Sequence, residues 1–164
     1  MSILQYESMI PLETKNCLDI NTKHSCLTKD YSINLQDINK LQQFIMEFKE
    51  QELSKLVECY WGEQEVNYGI CYKYSTVFCS LLLKYLANED IYVLICHDTG
   101  YNFYNSIHAS VVYLLNDKWI EIDLTQEKAE LAVSKIPLEA MADRVICLFN
   151  NKTSFINLNN NFSY

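Results

Sequence analysis

Eight apolar residues, Cys71, Tyr74, Val77, Phe78, Leu81, Leu82, Tyr85 and Leu86, recur at three- and four-residue spacing along one stretch of the chain. Side chains so spaced fall on one side of an α-helix, which predicts a helix of about four turns that buries a wide face. Gly62 and Gly69 bracket a loop before it, and Asn88-Glu89-Asp90 ends it. A face that wide needs a partner layer, and the residues that follow supply one. Ile91–Cys96 is a continuous apolar run and reads as a central strand. Ile107–Leu115 and Trp119–Leu124 are β-rich runs on either side of Asn116-Asp117, which predicts a hairpin. Val145–Phe149 and Ser154–Leu158 read as two more short strands across an Asn-Lys turn. Gln126–Arg144 reads as mixed and partly helical, with a helix starting at Pro137. Upstream, Leu35, Ile38, Leu41, Ile45 and Phe48 predict another helix, and Leu53, Leu56, Val57 and Tyr60 continue its pattern. The expectation is one α+β domain over residues 1–164, with the helix from Cys71 on an antiparallel sheet and with 1–33 and 159–164 peripheral.

A length of 164 residues suits a single core. Thirteen basic against twenty-one acidic residues give a net charge of −8, and no basic patch offsets it. Such a surface repels phosphate backbones, so a nucleic-acid partner is not expected. No uncharged apolar stretch approaches the ~20 residues of a membrane span. Met1–Ile10 lacks the basic start and apolar run of a signal peptide. The expected chain is cytoplasmic as synthesised, which is compatible with later translocation as an effector that carries no cleavable signal. Seven cysteines, an odd number without regular spacing, suggest no disulfide framework and fit a reducing compartment.

Among those cysteines, only Cys71 stands in the first turn of the strongest predicted helix, two residues after Gly69. A helix N-terminus stabilises a thiolate through its positive dipole end and free backbone N–H groups, and the same groups can receive an oxyanion. Cys17, Cys26, Cys59, Cys79, Cys96 and Cys147 read as structural, and neither a Cys-x-x-Cys pair nor the ragged His24-Thr-Ser-Cys26 suggests zinc. Of His24, His97 and His108, only His108 lies on a strand whose neighbour carries a usable carboxylate; His97-Asp98 is a weaker spare. If Asn116-Asp117 is a two-residue turn, Leu115 pairs with Lys118, so Ser110 opposes Asp123 and His108 opposes Thr125. His108 and Asp123 are then diagonal neighbours on one face, about 7–8 Å apart at the backbone, within reach of an imidazole–carboxylate contact. The bland reading of each is a buried cysteine, a structural strand histidine and a turn-capping aspartate. Their combination points to a thiol nucleophile, its base and the base's orienter.

Tyr68-Gly69-Ile70-Cys71-Tyr72-Lys73-Tyr74-Ser75 resembles the cysteine helix of the transglutaminase-like, papain-like cysteine enzymes. His108-Ala109 opening a strand, and Trp119-Ile120-Glu121-Ile122-Asp123-Leu124-Thr125 after it, resemble that superfamily's His-Ala and Trp-Val-x-x-Asp-x-Thr segments. The order Cys, His, Asp is the same, and the likeness covers residues 66–125. Ser110, Leu124 and Ile70 depart from it, standing where an aromatic, a Pro and, in the multidomain transglutaminases, a Gln are frequent. The resemblance implies a papain/transglutaminase-like fold and a Cys71–His108–Asp123 triad that attacks protein or peptide amides through a thioester. It also implies a small bacterial-type member that acts as a glutamine deamidase, transglutaminase or protease and needs no cofactor or metal. Gln64 and Trp61 are candidates to line the oxyanion site. A catalytically silent binding or adaptor domain of the same fold is the competing reading. Acyl-coenzyme A-dependent transfer is a third, and the short chain disfavours it.

Overall fold

In a computed structural model, the structure describes residues 6–9, 18–19, 26–27, 30–63, 69–86, 90–98 and 106–157. Ile38–Phe48 forms α1, capped by Asp37, whose carboxylate accepts from the backbone N–H groups of Asn39 and Lys40. Leu41, Ile45 and Phe48 are its buried stripe, as the period predicted. A π-type segment, Lys49–Leu53, keeps right-handed helical backbone at both ends and leads into α2, Ser54–Trp61. The two predicted pieces are thus one rod. α3, Gly69–Tyr85, buries Cys71 and the run Ser75–Leu82. This is wider than the predicted stripe because α3 is covered on two sides, by α2 and by the sheet.

Among the described residues the sheet has seven strands in the order β1-β7-β6-β2-β3-β4-β5, and every neighbouring pair is antiparallel. The strands are β1 Tyr6–Met9, β2 Ile91–Asp98, β3 Ser106–Leu115, β4 Lys118–Ile122, β5 Val133–Ile136, β6 Val145–Phe149 and β7 Ser154–Asn157. Two short helices, α4 Ala129–Ala132 and α5 Leu138–Arg144, flank β5. The chain is therefore mixed α+β with an antiparallel sheet. β1 and β5 were not predicted, since both are four-residue strands at the sheet's edges. β5 shows only two apolar residues, its ends, because its middle residues Ser134 and Lys135 face solvent.

The hairpin between β3 and β4 turns on Asn116 and Asp117, with φ of 51° and 62°. Positive φ at both central residues is the type I′ pattern, whose twist matches that of paired strands. Leu115 pairs with Lys118 and Val111 with Ile122, the register that a two-residue turn dictates. That register divides the sheet. Val93, Ile95, Ala109, Val111, Tyr113, Ile120 and Ile122 pack with α1, α2 and α3 in the larger core. Tyr92, Leu94, Cys96, Val112, Trp119, Leu148 and Met141 of α5 form a second core on the other face.

Cys26 and Cys59 are joined in a disulfide, where the cysteine count and spacing suggested no disulfide framework. The partners are 33 residues apart in sequence, so no local spacing announced them. The bond also removes Cys26 as a zinc ligand, while His24 and Cys17 lie outside the described residues. Closing a loop of 33 residues restricts the unfolded chain. Replacing both cysteines by Ser is expected to cost about 3–4 kcal/mol in equilibrium denaturation, a loss that reductant reproduces in the parent protein.

Candidate active site

α3 opens on Gly69, whose φ of +70° is left-handed backbone that a side chain would strain. Nothing lies within 4 Å of where its Cβ would be, so the requirement is conformational rather than spatial. Two residues on, Cys71 is 9% exposed in the first turn, facing the core cluster's edge. Its thiol hydrogen-bonds the imidazole of His108 on β3. The ring's Nε2 lies 2.8 Å from Asp123 Oδ2, which leaves Nδ1 for the thiol. The three side chains that the sequence singled out are thus in one line of contact.

The meeting point is the end of the β3–β4 ladder, which stops at Val111–Ile122. Asp123 has left the strand, and its own N–H donates to Ala132 O at 2.8 Å. Its carboxylate closes an Asx turn: Oδ1 accepts from Thr125 N at 3.0 Å and Thr125 Oγ1 at 2.6 Å. Gln126 Nε2 donates to Oδ2 at 3.1 Å, beside the imidazole. Lys49 Nζ donates to the Gln126 carbonyl and anchors this turn to the helical rod. Thr125 was placed on this face by the hairpin register. Gln126 was missed, because its role comes from the turn rather than from strand alternation. The Asp-x-Thr-Gln order, an Asx turn followed by an amide, was the available signal.

Electrostatics follow from these bonds. Asp123's hydrogen bond and the Cys71 hydrogen bond push the His108 pKa up from 6.5 to about 10, against burial, which lowers it. His108 is therefore an imidazolium at neutral pH. Burial alone would raise the Asp123 carboxyl, but hydrogen bonds from His108 and Thr125, the imidazolium charge and Gln126 outweigh it and hold it at about 2. The side chains of His108 and Asp123 are 20% and 12% exposed, so water or a substrate can reach the ring.

Trp61 is 8% exposed between Tyr60 and Tyr72, and its indole N–H donates to Thr76 Oγ1 at 3.0 Å. Its one donor is committed to α3, so it serves as an anchor for the helix and not as an oxyanion donor. Gln64 lies outside the described residues. His97, the spare base, alternates to the opposite face of β2 from Cys96. A groove of about 370 Å³ lined by Lys118, Trp119, Lys135 and Leu138 sits at the turn end of the hairpin, some seven residues along β3 from His108. It has no part in this chemistry. Among the described residues, no group of three or more His, Cys, Asp or Glu is placed to hold a metal ion. No helix among them is long and apolar enough to cross a membrane.

No family model, curated protein or solved structure matches this chain.

Proposed function

We propose that the chain is a cysteine-dependent amidohydrolase or acyltransferase of papain/transglutaminase-like fold, acting on amides of a protein or peptide. What supports this reading is the continuous contact Cys71–His108–Asp123, with the imidazole hydrogen-bonded on both sides. Nucleophile, base and orienter in that order are the minimum set for covalent amide cleavage.

The steps are as follows. With the proton already on the His108 imidazolium, the Cys71 sulfur attacks the carbonyl carbon of the amide. The carbonyl oxygen takes up the electron pair, and backbone N–H groups at the start of α3 are the donors suited to receive it. The C–N bond breaks as His108 returns its proton to the departing nitrogen, which leaves a thioester on Cys71. His108 then takes a proton from water, and the hydroxide formed releases the acid; a lysine amine in the same role gives an isopeptide crosslink. Asp123 keeps its charge throughout and holds the ring in line.

Intact-mass analysis of glutamine-bearing proteins incubated with the chain tests the proposal. A gain of about one mass unit means deamidation of a side-chain amide, and a cut means proteolysis. Either must vanish with Cys71→Ala. Mass-unchanged proteins that nevertheless bind the chain would favour the silent binding module.

A further inference from the structure

Beside the proposed triad, the same face of the sheet carries a second buried carboxylate that the mechanism does not use. Glu121 on β4 is 9% exposed and lies two residues before Asp123, which has already left the strand. It accepts a hydrogen bond from Ser110 Oγ at 2.7 Å, and Ser110 is itself fully buried. Arg144, at the end of α5, brings Nη2 to 3.5 Å from Glu121 Oε2. The same nitrogen is 3.4 Å from Cys96 Sγ. Cys96 is the direct cross-strand partner of His108, and opposite residues of an antiparallel pair share a face. Arg144 therefore reaches across β2 and β3 to β4 within one strand spacing, about 5 Å, of the His108 row.

We propose that Glu121 and Arg144 are a charge-cancelling pair of positioning residues for His108, leaving Asp123 and the Cys71 sulfur to set the acidity of the ring. The inference rests on the triad proposed above and adds to it the setting of the imidazolium's acidity. A general acid must hold its proton while waiting and yield it to the leaving nitrogen. Asp123 alone already raises His108 far above its ordinary value. An unbalanced second carboxylate so near would hold the proton tighter still, and an unbalanced guanidinium would expel it. The groups in contact with His108 are Cys71 from α3 and Asp123 from the turn after β4, while Cys96 is its cross-strand partner on β2 and carries the contact to Arg144 of α5 and, through it, to Glu121 of β4.

The sign of the test is fixed because a guanidinium does not lose its proton in a protein. Glu121→Gln keeps the shape and the Ser110 partner but strands the Arg144 charge. The pH at which His108 loses its proton, read by NMR of the isotope-labelled imidazole, should fall by about one unit. The double variant Glu121→Gln/Arg144→Gln should restore it, and Arg144→Lys, which keeps the charge, should leave it unchanged. His97, on the opposite face of β2, is the internal control. A His108 titration that stays put in Glu121→Gln, or moves down and is not restored in the double variant, overturns the pairing. If Glu121→Gln does not fold, the double variant and Arg144→Lys decide, since a His108 titration displaced in either contradicts charge cancellation. This readout needs no substrate, so loss of the proposed enzyme activity and loss of this pairing are told apart: an inert Cys71 with a His108 that responds as stated would overturn only the first.

Discussion

Cys71→Ala is expected to lower amide turnover by about 10⁴-fold or more, because members of a nucleophile–base–orienter set act as a unit. The substitution removes one sulfur from a side chain at the core's rim, so stability should fall by only about 1 kcal/mol. Turnover and thermal melting measured on the same preparation separate the two effects. Residual turnover near that of the parent protein would assign the chemistry to another residue. His108→Ala should reduce turnover comparably, since it removes both the acceptor of the thiol proton and the donor to the leaving nitrogen.

Asp123→Asn carries the second large effect, a fall of about 10²–10⁴-fold in turnover, because an amide can hold the ring but cannot favour its charged form. It also has a stability signature. His108 is raised from 6.5 to about 10, so its contribution is complete below pH 6.5 and is lost as pH rises through 10. Asp123 is lowered from 3.8 to about 2, so its contribution is present above pH 3.8 and is lost as pH falls through 2. The two shifts describe one pair and are not added. The parent protein should therefore show its highest melting temperature between about pH 4 and 6.5 as far as this pair is concerned. In Asp123→Asn the decline above pH 6.5 should flatten, because His108 loses the first cause of its raised pKa. An equally steep decline in the variant would mean that some other group titrates there.

Much of this site was readable before any coordinates because its parts lie on elements with strong local signals. The α3 stripe is long and strictly periodic, and Gly69 marks where it begins. The hairpin turn has only two residues, so its register predicted His108 and Asp123 as neighbours, although Asp123 reaches the ring from the turn that follows β4. What the sequence hid was set by tertiary contact. Trp61 gives its indole N–H to Thr76, fifteen residues away on α3. Gln126 reaches Asp123 only because the chain bends back after the strand. Glu121 is buried only because α5 covers that face of the sheet and brings Arg144 to it. The Cys26–Cys59 bond and the edge strands β1 and β5 depend likewise on distant partners that no local pattern encodes.

The most direct measurement is the rate at which each thiol reacts with iodoacetamide in the native protein, mapped by peptide mass spectrometry. Cys71, Cys79, Cys96 and Cys147 are the free cysteines among the described residues. An imidazolium-paired nucleophile predicts one fast site, Cys71, that is slowed strongly in His108→Ala. Uniformly slow labelling of all four, or a fast Cys71 indifferent to His108, would contradict the triad.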